Sequence, residues 1–478
     1  MKKIYTLVLL LGIIQSANTQ SKHLWATTST GGAHGWGTIL ESDSVGNGFH
    51  TVYSFDYTNG SFGVGRMAKG NDGKLYGVTL RGGFGNSCVL YSYDPSNGNY
   101  VKLYDYEAHL AGGAIPYAGV ILAGNGKFYG MCNQGGANGY GTLYSYDPSS
   151  SLYVNLHDFA DATGSSPYGE LVEATNGKLY GMASNGGTGF NSPGVVFSFN
   201  PANNSYNVEH YFTGTDGANP AYSNLIQATN GKIYGTTAGG GSHGLGLIFS
   251  YDPVTTQYDT LHNFGGEPFG NDTFGSVAGG LVQANNGKLY GITSSTPGSA
   301  SFLGYGEIYS YDISTNVFQA VVLLDSIKGY GAQRTLTKIS NGKLIGTNKY
   351  GGLYGYGTIF SFDPVNNTYV KLIDLDSTST GSFPTSDILE TGATVTQIQE
   401  LNEVPVVIYP NPSHNRLFIE TGEMIADEIN IYETTGRLIT CAKQSADKSI
   451  DISQLAAGTY MVEIKTKQTV IRKKCIKI

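Results

Sequence analysis

The chain has 478 residues, enough for more than one domain, with 68 glycines, 35 tyrosines and only 13% charged residues. That balance suits many short strands joined by glycine turns; it excludes a helical protein and, with aromatics at 12%, a disordered one. The formal net charge of −8 gives no electrostatic reason to expect nucleic acid or an anionic membrane as partner.

The first element in chain order is a leader. Lys2 and Lys3 precede an apolar stretch from Ile4 to Ile14, followed by the small residues Ala17 and Thr19. This pattern predicts a signal peptide over residues 1–19, cut before Gln20, where there is no cysteine to carry a lipid. The apolar stretch is too short to span a bilayer, and no other segment reads as a transmembrane helix. Export implies an oxidising compartment, yet there are only four cysteines: Cys88 and Cys132 in the body, Cys441 and Cys475 in the tail. They are too few for a disulfide framework, and each pair reads either as one bridge or as buried small apolar side chains.

From residue 20 onward the sequence repeats itself. Asp72–Gly77 (DGKLYG) returns as Asn125–Gly130, Asn176–Gly181, Asn230–Gly235, Asn286–Gly291 and Asn341–Gly346, and a worn copy opens the mature chain at Lys22–Ala26. The anchors Leu24, Leu75, Phe128, Leu179, Ile233, Leu289 and Leu344 lie 51–56 residues apart, which makes seven units. Each unit has a second block, as in Gly139–Pro148 (GYGTLYSYDP) and Gly355–Pro364 (GYGTIFSFDP). An outer strand such as Tyr153–Phe159 follows, and a strand such as Glu170–Ala174 precedes the next anchor. Four short runs per unit predict one four-stranded blade, with a two-residue Asn-Gly hairpin between strands one and two and an Asp-Pro turn between strands three and four. The third strand is apolar on both faces, Ile359 pointing one way and Phe360 and Phe362 the other, as a sheet sandwiched between two others requires.

The ends of the repeat region predict how the stack closes. The first unit begins directly in its second strand at Leu24, whereas Gly381–Thr391 aligns with Gly164–Ala174 and is a surplus first strand. Pairing the two shuts a ring and removes the exposed edge. The expected fold is therefore all-β: a seven-bladed β-propeller over residues 20–391 with strand-exchange ring closure, a linker over 392–403, and a small antiparallel β-sandwich over 404–478. The repeat blocks resemble the Gloeo-Verruco (GloVer) type of tandem repeat found in exported bacterial proteins, across about residues 22 to 391. That resemblance implies no particular activity.

The tail carries Val406–Pro412, Ile429–Tyr432 with Thr435–Leu438, Leu455–Ile464 and a basic strand at Val470–Lys474. These blocks are similar to the C-terminal sorting domain of the type IX secretion route, in its type A form. The likeness implies recognition by the type IX machinery at the outer membrane, removal of the tail, and release or attachment at the outer cell surface of a Gram-negative bacterium.

Comparison among the repeats separates fold from function: positions identical in every unit answer to the fold. His157, His210 and His262 occupy equivalent places in fourth strands and read as packing residues rather than ligands. Variable aromatics fall in the loops between strands two and three: Trp36, Phe84, Tyr140, Phe190, Phe302, Tyr354 and Tyr356, with His34 and His243 nearby. Aromatic faces ringed by Asn, Ser and Gly suit stacking on sugars or gripping an extended polymer. The opposite face carries only tight turns, so the loop face is the expected binding face.

A second candidate lies on the axis. The residue before each first-strand leucine equivalent is Arg66, Gly119, Glu170, Asn224, Gly280, Thr335 or Asp387, which together predict a layer round the channel. Glu170, Asp387 and Arg66 there are the candidate catalytic set for a polysaccharide hydrolase or lyase. No metalloprotease, nucleophile-elbow, phosphate-loop, EF-hand or Cys-x-x-Cys motif occurs, and no cofactor or metal is expected. The sequence thus predicts a secreted or surface binding and adhesion module for extracellular glycan or protein, with the enzyme and a structural envelope component as alternatives.

Overall fold

The computed structural model describes residues 22–106, 112–187, 193–221, 223–265, 276–277, 279–294, 305–332, 334–392, 407–409, 411–420, 428–433, 438–442, 449–465 and 470–478. The leader over 1–19, Phe190, Phe302 and the Cys441 side chain lie outside them. The chain divides into two compact units, one ending at Thr394 and the other beginning at Val395.

The first unit contains seven antiparallel sheets among its described residues. The third is representative: Ile121–Leu122, Phe128–Cys132, Thr142–Asp147 and Leu152–Asp158 pair in chain order, from inner to outer strand. In all seven sheets the register slips once between strands three and four, at positions equivalent to Leu143/Tyr144. A bulge repeated at one place adds the local right-handed twist that each blade needs. The first hairpin differs from the expected two-residue turn, because only its glycine, such as Gly126 at φ 81°, is left-handed. The preceding asparagine acts through its side chain instead: Asn125 Oδ1 accepts from Lys127 N and Asn125 Nδ2 donates to Tyr129 Oη. The Asp-Pro turns behave as expected, with Asp363 Oδ1 accepting from Val365 N at 2.9 Å.

Packing between sheets is cyclic. Seven buried apolar clusters each join two sheets consecutive in the chain, and the last joins the seventh to the first through Ile339, Ile345 and Ile359 against Leu24, Ala26 and Leu40. Ile359 faces that cluster while Phe360 and Phe362 face the cluster shared with the sixth sheet, as the two-sided pattern requires. The end of the repeat region returns to its start: Leu389–Thr391 pairs with His23–Trp25, and Ser382–Pro384 pairs with Thr28 and Thr30. Trp25 Nε1 donates to Thr391 Oγ1 at 2.9 Å across that seam.

The three equivalent histidines are packing residues. His157, His210 and His262 lie parallel to Tyr206, Tyr258 and Phe318 of the next outer strand, with ring centroids 3.9, 3.7 and 4.1 Å apart. The bridge reading of the body cysteines is corrected, since Cys88 and Cys132 are free, buried thiols in the cluster between sheets two and three. Burial pushes the Cys88 thiol up to about 11.

The second unit has a three-stranded sheet (Val407–Tyr409, Arg416–Glu420, Ser449–Asp451) and a four-stranded sheet (Leu438–Ala442, Glu428–Glu433, Gly458–Lys465, Val470–Lys477). Leu417, Ile419 and Ile450 from the first meet Ile429, Ile431, Val462 and Ile464 from the second in one core. Cys475 is a free, buried thiol in that core.

Candidate functional site

On the loop face, one backbone position recurs. The loop between strands two and three ends at a left-handed residue: Gly37, Cys88, Gly141, Gly194, Gly246, Gly306 or Gly357. Glycine is favoured there because a Cβ on Gly246 would lie 1.9 Å from the Thr237 carbonyl oxygen, and one on Gly141 would lie 2.4 Å from that of Cys132. The residue before it is held by its carbonyl. Trp36 O accepts from Phe62 N at 3.0 Å, Tyr140 O from Ser166 N at 2.9 Å and Tyr356 O from Phe383 N at 2.8 Å, each donor belonging to the next sheet.

At these three sites the backbone ties the position to the next sheet while leaving the side chain free to vary. Trp36, Tyr140, Leu245, Tyr305 and Tyr356 occupy it, all between 37% and 43% exposed. Sequence inspection singled out Trp36, Tyr140 and Tyr356 but missed Leu245 and Tyr305, which the common spacing to the left-handed glycine identifies. Further aromatics support the crown: Trp36 packs on Tyr57 with centroids 4.7 Å apart, and Tyr305 on Tyr330 at 5.0 Å. From Tyr330 the contact runs through Tyr350 and Phe383 to Tyr356. Phe84, Tyr354, His34 and His243 stand further out on the same loops and are exposed.

The axial layer assembles as the repeat register predicted. Arg66 N donates to Glu170 Oε1 at 2.8 Å, and the Arg66 guanidinium lies 3.6 Å from Glu170 Oε2. Glu170 N donates to Asn224 Oδ1 at 2.8 Å, and Asn224 Nδ2 donates to Asp387 Oδ2 at 3.2 Å. Gly119 is needed here, because a Cβ would fall 2.0 Å from the Arg66 carbonyl oxygen. Glu170 and Asp387 are each only 4% exposed. Burial, reinforced by the Glu170 charge, pushes the Asp387 carboxyl up to about 7, against the pull of Arg334 and Arg66.

Arg334, one residue before the layer, reaches across to donate from Nη2 to Tyr117 O at 3.1 Å, a residue 217 positions away. Sequence reasoning missed Arg334, which precedes rather than occupies the aligned column. On the other side of the layer a cavity of about 280 Å³ runs along the inner strands toward the Asn-Gly turns, past Val172, Ile226, Val282 and Thr337 to Lys338. The turn face, expected to offer little grip, thus has a recess along the axis.

Among solved structures, the chain is similar to a putative 6-phosphogluconolactonase from Bacteroides uniformis, at 12% identity and TM-score 0.49, covering 78% of this chain and 100% of that one. It is also similar to an oligogalacturonate lyase from Vibrio parahaemolyticus, at 10% identity and TM-score 0.43, covering 75% and 89%. Likenesses this distant assign no activity here. No curated protein matches the chain. Family models match more directly: the Gloeobacter/Verrucomicrobia repeat over residues 12–192 and 188–399, and the secretion system C-terminal sorting domain over residues 407–478. The tail implies the type IX secretion machinery and a secreted or cell-surface destination, and no helix among the described residues is long and apolar enough to cross a membrane. With its repeated sheets, its spacing of turn glycines and its sorting tail, the chain belongs to the Gloeobacter/Verrucomicrobia repeat family.

Proposed function

We propose that the repeat body is a non-catalytic binding module that presents its loop face to an extracellular glycan or protein. The observation that carries this reading is the single backbone position that holds Trp36, Tyr140, Leu245, Tyr305 and Tyr356 half-exposed on five of the seven sheets, with Ser87 and Pro193 at the same place on the other two. A side chain that is fixed in place yet free in identity is what recognition needs, because a pre-ordered aromatic loses little entropy on binding. Aromatic faces beside the polar loop residues suit the apolar faces and hydroxyl edges of sugar rings.

The axial carboxylates do not favour the hydrolase or lyase alternative. Glycoside hydrolysis uses two carboxyl groups flanking an accessible bond, whereas Glu170 is largely buried with Oε1 on the Arg66 amide and Oε2 beside the Arg66 guanidinium.

A glycan array probed with the purified protein tests the sugar form of the proposal. The expected result is saturable binding that Trp36→Ala or Tyr140→Ala weakens at least about tenfold, a loss of about 1.4 kcal/mol. Binding unchanged in both variants would overturn the assignment of the face. Absence of binding to glycans and to extracellular proteins would leave the structural envelope role in its place.

A further inference from the structure

The axial cavity has chemistry that the loop face does not share. Its floor holds Asp387, whose Oδ1 is buried without a hydrogen-bond partner among the described residues, while Oδ2 receives the neutral amide of Asn224. A buried acceptor left unmatched is costly, about 1–3 kcal/mol and more when charged. The cations nearby offset its charge only in part: Arg66 lies on Glu170, and Arg334 donates through Nη2 to the Tyr117 carbonyl while its buried Nε has no partner among the described residues. The walls above the floor are mainly aliphatic, with Val172, Ile226 and Val282 contributed by three successive inner strands.

We propose that this cavity is a binding site for a small primary amine with an aliphatic body, its ammonium group seated on Asp387 and its chain lying along the inner strands. An ammonium group supplies the hydrogen-bond donor that Asp387 Oδ1 lacks and adds to the positive charge that Arg334 and Arg66 set against the Glu170 and Asp387 carboxylates. The aliphatic walls bury the chain, and among the described residues no aromatic ring lines the cavity for a sugar to stack on. The site is independent of the loop-face reading, since it lies on the far side of the axial layer and uses none of the same residues.

The proposal predicts a proton linkage. Burial first, and then the Glu170 charge, push the Asp387 carboxyl up to about 7, against the opposing pull of Arg334, Arg66 and the Thr335 amide, which face it as well. The ammonium needs the carboxylate form, so lowering the pH from 8 to 6 should weaken binding about tenfold.

Calorimetric titration of the purified full chain with n-pentylamine, against 1-pentanol as the uncharged isostere, tests this. The expected results are one saturable site for the amine, at least about tenfold weaker binding of the alcohol, and a similar loss in Asp387→Asn. Val282→Phe, which fills the cavity without touching the floor, should abolish amine binding while Trp36→Ala leaves it unchanged. Equal binding of amine and alcohol, or amine binding that survives both Asp387→Asn and Val282→Phe, would overturn the proposal.

Discussion

At the residue scale, the recurring glycine of the second strand is a packing device. A Cβ on Gly181 would lie 2.5 Å from Phe197 Cζ and 2.8 Å from Leu171 Cδ2, and Gly130, Gly235, Gly291 and Gly346 stand under rings in the same way. Gly181→Ala should therefore cost about 1–3 kcal/mol by overpacking, measured by urea unfolding. Asp387 offers a pH test. Its folded carboxyl titrates near 7, above the ordinary 3.8, so the stability present at acid pH is lost as pH rises through that range. Asp387→Asn should raise the melting temperature at pH 8 more than at pH 4; equal shifts at both would contradict a buried carboxyl that titrates in the folded chain well above its ordinary range. The histidines bear on the acid side. Burial lowers His157 from 6.5, so protonation below that value opposes folding, and His157→Phe, which keeps the stack on Tyr206, should make the stability curve flatter below about pH 6.5.

At the element scale, much was legible in the sequence because the repeat itself supplies a comparison. The two-faced third strand, the surplus strand at Gly381–Thr391 and the column from Arg66 to Asp387 all follow from spacing alone. What was not legible depended on backbone conformation or on contacts between remote residues. The first hairpin was misread because Asn-Gly is compatible with more than one turn, and the Asn125 side chain decides the outcome. Arg334 was missed because its partner, Tyr117, lies in another repeat. Leu245 and Tyr305 do not stand out in the sequence, because only the left-handed conformation of Gly246 and Gly306 after them marks the position they share with Trp36, Tyr140 and Tyr356. The closing strand gives this scale its prediction: Ile388 is fully buried in the cluster between sheets seven and one. Ile388→Ala should cost about 2–5 kcal/mol, whereas Val365→Ala, on an 87% exposed side chain, should change stability by less than about 0.5 kcal/mol.

For the molecule as a whole, both proposed sites depend on the circuit of sheets. A crown of side chains on one face and a recess along the axis both exist only because the seventh sheet packs on the first and the two ends of the repeat region share a sheet. An open stack would splay these residues along an arc and expose the inner edge of sheet one. The seam is directly testable, because His23 and Thr391 are register partners. Cysteines introduced at both positions should form an intramolecular disulfide under mild oxidation, identified by peptide mapping and by faster non-reducing migration, while Cys88 and Cys132 stay buried. Free thiols at both positions, or cross-links only between molecules, would contradict the closed ring.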